Sequence, residues 1–133
     1  MSFPAERLRE LVPLADGLRI ELDSAAPDEV VGRMAWAAEL CTSAGVLHGG
    51  AIMAFGDTLG AVCASLNLPQ GSLTTTIESK TNFFRAVTSG HVEGRTRPLH
   101  VGRRTIVVQT DLTRDDGKRV AQTTQTQAVI ERE

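Results

Sequence analysis

Residues 48–66 read HGGAIMAFGDTLGAVCASL, a stretch in which Asp57 is the only Asp, Glu, Lys or Arg. The run is too long for an ordinary strand, and a Pro-Gln-Gly segment at 69–71 follows closely and interrupts it. We therefore predict a helix from about Gly49 to Leu66. A helix that is apolar on every side is usually enclosed by protein, and its Gly and Ala content and its central acid argue against a membrane span.

The segments around this helix show strand-type alternation. Residues 4–12 predict a short N-terminal helix that Pro13 ends, and residues 38–47 predict a loop. Strands are predicted at 18–23, 29–37, 73–86, 91–99, 104–113 and 118–131, with Val120, Gln122, Thr124 and Thr126 on one face of the last. This order predicts an α+β fold, a single domain over residues 1–133 with an antiparallel sheet of about six strands against the long helix. One flat sheet cannot enclose such a helix, so a strongly curled sheet or a second subunit must cover its remaining side.

The composition narrows the range of functions. The chain has 133 residues, a net charge of −2 and no tyrosine, which disfavours a basic or base-stacking surface for nucleic acid. Cys41 and Cys63 have neither the spacing of a metal site nor that of a disulfide framework. The charged N-terminal residues do not resemble a signal peptide. We expect a cytoplasmic protein that binds neither nucleic acid nor membrane and holds no metal.

The start and the middle of the helix carry the candidate chemistry. Gly49 and Gly50 leave backbone N–H groups open at the positive end of the helix dipole, which favours an oxyanion, although glycines there also serve close packing alone. Asp57 is costly to bury unless it has a task. Because eight residues of helix span about 12 Å, Gly49 and Asp57 of one chain cannot act on one carbonyl. Two antiparallel helices across a two-fold axis would bring Gly49 of one chain to Asp57 of the other, which predicts a dimer.

Four motifs together resemble a known family. They are Leu47-His48-Gly49-Gly50, Asp57-Thr58, Thr81-Asn82-Phe83-Phe84-Arg85 and Leu99-His100-Val101-Gly102-Arg103-Arg104. Over residues 15–131 the chain resembles the PaaI-like branch of the hotdog-fold acyl-CoA thioesterases. The resemblance implies a hotdog fold, in which a curved sheet wraps one long helix, and a homodimer that commonly pairs into a homotetramer. It also implies hydrolysis of an aryl- or medium-chain acyl-CoA, in which coenzyme A is part of the substrate and no cofactor is needed.

The resemblance assigns roles to individual residues. Asp57 would be the nucleophile or general base, the Gly49 N–H would polarise the thioester carbonyl, and His48 would bind or orient the thioester. For His48, a helix-entry residue bonded to the backbone is the alternative. The implied substrate-binding residues are Gly50, Thr42, Thr58, Ala61, Asn82 and Phe83. Two of these depart from the family pattern, since relatives often have Asn or Gln in place of Thr42 and some have Ser or Thr in place of Ala61.

The basic residues give an independent indication of the ligand. Between Lys80 and Arg104 lie six Lys or Arg and a single acid, Glu93, in a chain that is acidic overall. Arginine pairs well with phosphate, and coenzyme A carries a pyrophosphate and a ribose phosphate. We therefore predict a CoA-binding cluster, formed by Arg85, Gly102, Arg103 and Arg104. Arg95 and Arg97 share a strand face and are interpreted as solvated surface.

Two other functions stay open at this point. An acyl-CoA-binding or sensing module would keep the arginines without catalysing a reaction. A hotdog dehydratase would need a histidine paired with the acid to move protons, and His91 and His100 are interpreted as structural. Cys63 is interpreted as a core residue rather than a nucleophile, because nothing in the sequence places a base near it.

Overall fold

The strands form a sheet whose order differs from their order along the chain. The computed structural model describes residues 3–132. Within these residues six strands build one antiparallel sheet: β1 (Glu21–Ala26), β2 (Glu29–Ala35), β3 (Ser72–Phe83), β4 (His91–Val101), β5 (Thr105–Arg114) and β6 (Arg119–Glu131). The spatial order is β1-β2-β4-β5-β6-β3, which places β3 at one edge beside β6. The prediction of an antiparallel sheet of about six strands is confirmed.

The long helix, α3 (Gly49–Leu66), packs against all six strands. It has the predicted bounds, because His48 caps its first turn and the Pro-Gln-Gly segment at 69–71 follows its end. Phe55 and Leu59 are fully buried on it and lie where Gly94 of β4 leaves room for their side chains. By its length and its mean hydropathy of 1.3 the helix resembles a membrane span, but 56% of it is buried inside the protein. The sheet thus supplies the apolar surroundings that its sequence requires.

The N-terminal segment differs from the prediction in detail. In place of one helix over 4–12, a 3-10 turn at Ala5–Arg7 leads into α1 (Leu8–Leu11). The helix ends before Pro13 as predicted, but Pro13 also begins a second short helix, α2 (Pro13–Gly17). Proline is well accepted at a first helical position because its missing N–H would have no partner there. The first strand consequently begins at Glu21 rather than at residue 18.

The predicted face of the last strand is wrong. The register between β5 and β6 shifts after Leu112, opposite Val120, which marks a β-bulge. A bulge adds one residue to a strand and reverses the alternation beyond it. Val120 is therefore buried, while Gln122, Thr124 and Thr126 are only half-buried. The fully buried positions beyond the bulge are Ala121, Thr123, Gln125 and Gln127.

The edge strand β3 is open along its outer side. In the described sheet it pairs with β6 alone, and most of its residues are exposed. Leu73, Ile77 and Phe83 are among the large apolar side chains that it leaves exposed. An open edge with apolar side chains is a template for pairing with another chain.

Candidate active site

At the start of α3, the His48 side chain accepts a hydrogen bond from one of the two glycine N–H groups. The Gly50 N–H donates to Nδ1 of His48 over 2.7 Å, and His48 is the N-cap residue of the helix. A neutral imidazole whose Nδ1 accepts a hydrogen bond carries its proton on Nε2. His48 is exposed, so this Nε2–H is accessible to a ligand. His48 therefore combines the helix-entry role with a donor at the candidate site.

The Gly49 N–H is the open backbone donor at this helix end. It has no acceptor among residues 3–132, whereas the Ala51 and Ile52 N–H groups both donate to the His48 carbonyl. The ring of Phe83 lies beside it, since a β-carbon at Gly49 would stand 3.2 Å from that ring. The structure thus brings His48, Gly49 and Phe83 together around one donor at the positive end of a helix. That arrangement suits a developing oxyanion.

Asp57 lies further along the same helix, half-buried, in contact with β6. Its Oδ1 accepts a hydrogen bond from Nε2 of Gln125 over 3.0 Å. Gln125 is fully buried and was not identified from the sequence, because a glutamine within an alternating strand carries no signal of its own. Gly60 is the feature of the sequence that could have indicated this contact, because a glycine inside a helix often leaves space for a neighbouring side chain. A β-carbon at Gly60 would overlap the Gln125 amide.

Gly49 and Asp57 form two half-sites rather than one site. The helix rise separates them by about 12 Å along the axis of α3. Met53, which is large, apolar and 40% exposed, lies halfway between them. An oxyanion donor and an attacking group must both lie within about 3 Å of the reacting carbonyl, so one chain does not provide both.

Among the remaining predicted substrate-binding residues, Thr42 and Ala61 lie close along the chain to His48 and Asp57, while the side chains of Thr58 and Asn82 are directed elsewhere. Thr42 is exposed in the hairpin that leads to His48, where its N–H donates to the Val46 carbonyl, and Ala61 lies one turn beyond Asp57. Thr58 is buried, and its hydroxyl donates to the Ala54 carbonyl over 2.7 Å. Asn82 points away from the neighbouring Phe83, because successive side chains of a strand alternate between faces. The structure therefore does not bring Thr58 and Asn82 to either half-site.

The predicted CoA-binding arginines lie at opposite ends of the sheet. Arg85 follows β3, and its backbone N–H and guanidinium donate to the Val120 and Arg119 carbonyls. At the other end, the turn formed by Gly102, Arg103 and Arg104 joins β4 to β5, and the Val129 N–H donates to the Arg104 carbonyl. Val129 lies nine positions after Val120 along β6, a distance of about 30 Å. One chain therefore does not form the single cluster that the sequence predicted.

The other arginines of this segment are paired on the sheet surface. Arg95 lies 2.8 Å from the Glu29 carboxylate, and Arg97 lies 3.9 Å from that of Asp111. Both guanidinium groups are substantially exposed. Their placement agrees with the interpretation of these two residues as solvated surface.

A shallow apolar groove lies beside the start of α3. It has a volume of about 300 Å³ and is lined by side chains of α2, of the segment before His48 and of the first turns of α3. Leu14, Leu18, Leu40 and Ala54 form its apolar walls, with His48 and Gly50 at its rim. Larger depressions elsewhere on the surface contain neither His48 nor Asp57.

The other candidate nucleophiles and bases lie outside both half-sites. Burial raises the pKa of the Cys63 thiol to about 11, and the negative charge of Asp28 acts in the same direction. A thiol that stays protonated is a poor nucleophile, in agreement with a core role for Cys63. His91 and His100 are exposed near the two ends of β4, and His100 lies against Gly102.

Comparison with known proteins identifies the family. Residues 44–121 match the family model described as the thioesterase superfamily. The chain belongs to the thioesterase superfamily. This thioesterase is 30% identical over 119 residues to a Haemophilus influenzae protein provisionally named an esterase, with 88% of this chain and 86% of the relative covered. It is 42% identical over 59 residues to the proofreading thioesterase EntH of Klebsiella pneumoniae, with 44% of this chain and 43% of the relative covered.

Solved structures of thioesterases share the fold. A Haemophilus influenzae thioesterase, assigned to the thioester hydrolases, superposes with a TM-score of 0.92 at 29% identity, covering 98% of this chain and 93% of the other. A variant thioesterase from Pseudomonas aeruginosa superposes with a TM-score of 0.91 at 26% identity, covering 98% and 96%. The predicted hotdog fold is confirmed, and the predicted activity is confirmed at the level of thioester hydrolysis.

Proposed function

We propose that this thioesterase hydrolyses an acyl-CoA in active sites that are each built from two chains. The observation that carries the proposal is the division of the site along α3. The Gly49 N–H, which has no acceptor among residues 3–132, and the half-buried carboxylate of Asp57 lie about 12 Å apart along the helix axis. A second copy in the antiparallel direction supplies each half-site with its missing partner, and the two-fold symmetry produces two equivalent sites.

Met53 marks the expected position of the two-fold axis. If Gly49 of one chain faces Asp57 of the other, the midpoint of the contact falls at residue 53 of both helices. Met53 is an exposed, flexible apolar side chain, which packs readily against a copy of itself. The open edge of β3 is available for pairing in the same dimer. Assembly of two such dimers into a homotetramer is proposed from the family resemblance alone.

In the proposed reaction, Asp57 acts on the thioester in one of two ways. As a nucleophile, its carboxylate attacks the carbonyl carbon, the C–S bond breaks and CoA leaves as the thiolate. Water then hydrolyses the acyl–aspartyl anhydride, which releases the acid, restores the Asp57 carboxylate and supplies the proton that the thiolate takes up. As a general base, it takes a proton from a water molecule that attacks the same carbon, and the proton passes to the departing sulfur. In both routes negative charge develops on the carbonyl oxygen, where the Gly49 N–H stabilises it. The Nε2–H of His48 is proposed to orient the thioester at this end.

The apolar groove beside His48 is proposed to receive the acyl group. Its volume of about 300 Å³ and its leucine and alanine walls suit an aryl or medium-chain acyl group. The phosphates of CoA are proposed to contact the predicted arginines. Because Arg85 lies about 30 Å along the sheet from Arg103 and Arg104, one chain brings only one of these two groups to a given phosphate, and the other group would have to come from the second chain.

The test of this function is the release of free thiol from a panel of aryl- and medium-chain acyl-CoAs. We expect the wild type to hydrolyse at least one of them and Asp57→Ala to lose about 100-fold or more in kcat. Asp16→Ala removes an exposed acid of α2 and serves as the matched control, with wild-type activity expected. Full activity of Asp57→Ala would contradict the proposed role of Asp57.

The same panel separates the alternative functions. If the wild type binds acyl-CoAs but releases no thiol, a sensing module replaces the enzyme. If it instead eliminates water from hydroxyacyl-CoAs, the protein is a dehydratase. The placement of His91 and His100 at the ends of β4, away from α3, favours hydrolysis over the second alternative.

A further inference from the structure

The inward face of β6 carries polar side chains where apolar core residues are expected. Thr123, Gln125 and Gln127 are each 0% exposed. The Gln127 amide is satisfied by the neighbouring strand, because its Nε2 donates to the Thr76 hydroxyl and its Oε1 accepts from that of Thr74. Gln125 differs from Gln127 in that its hydrogen bond goes to the helix rather than to β3.

The amide nitrogen of Gln125 has a hydrogen-bond partner, whereas its amide oxygen has none among residues 3–132. Its Nε2 donates to Oδ1 of Asp57, while its Oε1 is buried without a hydrogen-bond partner in the part of the chain that the structure describes. A buried amide oxygen without a donor costs free energy, and folding alone gives no reason to accept that cost. The opposite orientation of the amide would bring Oε1 against Oδ1 of Asp57, so that two acceptors would face each other. The contact with Asp57 therefore determines how this side chain lies.

Gly60 makes this contact possible. It lies on the next turn of α3 after Asp57, and a β-carbon there would overlap the Gln125 amide. Glycine inside a helix is less favourable than alanine, so this residue also reduces stability. A buried glutamine, an unsatisfied oxygen and a glycine inside a helix thus coincide beside one carboxylate. Local departures of this kind are expected where function, rather than folding, decides the sequence.

We propose that Gln125 is the positioning residue of Asp57, an inference that rests on the proposed function. Its N–H holds Oδ1 in a charge-assisted hydrogen bond, which restricts the carboxylate to one orientation. Oδ2 of Asp57 has no partner among residues 3–132 and is the oxygen presented to the thioester or to the attacking water. Gln125 acts through this orientation and does not touch the substrate. Its loss is therefore expected to lower kcat and to leave substrate binding unchanged.

The variants Gln125→Met and Gln127→Met test the proposal as a matched pair. Both positions are fully buried on the same face of β6, and methionine has a similar length without a donor. We expect Gln125→Met to lower kcat about 10- to 100-fold at an unchanged KM, because a hydrogen bond to a charged group is lost. We expect Gln127→Met to keep the wild-type kcat and to lower Tm more than Gln125→Met does, because it removes two hydrogen bonds to β3 while Gln125→Met also removes an unsatisfied oxygen. A merely structural role predicts small and equal kinetic effects in the two variants.

A second variant and a double-mutant cycle complete the test. Gln125→Leu likewise removes the N–H donors with an apolar side chain of a different shape, and we expect the same loss of kcat if Gln125→Met is too unstable to purify. In an Asp57→Asn background, Gln125→Met is expected to cause no further loss, because it acts through the carboxylate. If Asp57→Ala keeps its activity, the proposed function fails and this inference fails with it. If Asp57→Ala is inactive while Gln125→Met retains the kcat of Gln127→Met, the positioning role alone is overturned.

Discussion

At the scale of single residues, the proposed chemistry depends on one backbone N–H, that of Gly49, which can be removed without disturbing the helix. Proline is well accepted at the first helical position, and the backbone of His48, with φ −63° and ψ 134°, already has the extended conformation required before proline. We expect Gly49→Pro to lower kcat for thiol release about 100-fold, the usual effect of losing an oxyanion donor, with little change in Tm.

Gly49→Ala is the matched control for this prediction. It places a β-carbon against the Phe83 ring in the same way but keeps the N–H. We expect it to retain most of the wild-type activity. Equal losses in the two variants would show that crowding at Phe83, rather than the missing donor, causes the defect.

The buried thiol of Cys63 predicts a particular dependence of stability on pH. Burial raises its pKa from the ordinary value of 9.0 to about 11, so the folded chain holds this proton more tightly than the unfolded chain. Its contribution to the free energy of unfolding is therefore fully present below pH 9 and is lost as the pH rises toward 11. The loss amounts to about 2 kcal/mol over that window.

Urea denaturation at several pH values measures this effect. The stability of the wild type relative to Cys63→Ala is expected to fall between pH 9 and pH 11. Its stability relative to Ser43→Ala, an exposed variant that changes no titratable group, serves as the reference and is expected to stay constant. Parallel pH profiles for the wild type and Cys63→Ala would contradict the assignment.

At the scale of elements, α3 was predictable and the inward face of β6 was not. The bounds of α3 are set locally, by the cap at His48 and the break after Leu66, so the sequence contains them. The face of β6 depends on a bulge at Val120 that exists only in its pairing with β5. The residues of the half-sites divide in the same way, into those that are recognisable locally and those that depend on a tertiary contact. Gly49 and Asp57 are unusual within their own segment, whereas Gln125 acquires its role from a contact between residues 68 positions apart.

We expect a single methyl group added at Gly60, between α3 and β6, to lower both stability and activity. Gly60→Ala improves the helix propensity, but its β-carbon would overlap the Gln125 amide. We expect it to lower the free energy of unfolding by about 1–3 kcal/mol, the usual cost of overpacking, and to lower kcat by displacing Gln125. Gly17→Ala is the control and is expected to be nearly neutral in urea denaturation, because apart from its own turn of helix no part of residues 3–132 lies within 4 Å of the added carbon. A Gly60→Ala variant with wild-type stability and kcat would show that Gln125 moves aside at little cost.

At the scale of the whole molecule, the proposed dimer places Met53 against its own copy. Met53→Lys would put two like charges at the axis in a contact with little water, which opposes association. We expect light scattering to give the monomer mass for Met53→Lys and the dimer mass, or a multiple of it, for the wild type, with thiol release lost together with the dimer. Leu11→Lys introduces the same charge at a 49% exposed leucine of α1 and is expected to leave both properties unchanged. An active monomeric Met53→Lys would contradict the composite site.

Complementation between two inactive variants tests the shared site directly. A Gly49→Pro chain lacks the donor half and an Asp57→Ala chain lacks the carboxylate half, so each homodimer has two defective sites. When the two are unfolded and refolded together, random pairing yields half heterodimers, each with one intact and one doubly defective site, and about a quarter of the wild-type activity is expected. Asp57→Ala refolded with a chain carrying both substitutions is the control, because no pairing of those chains yields an intact site. If native mass spectrometry detects the heterodimer of the two single variants but no thiol is released, each site lies within one chain and the two-chain arrangement is wrong.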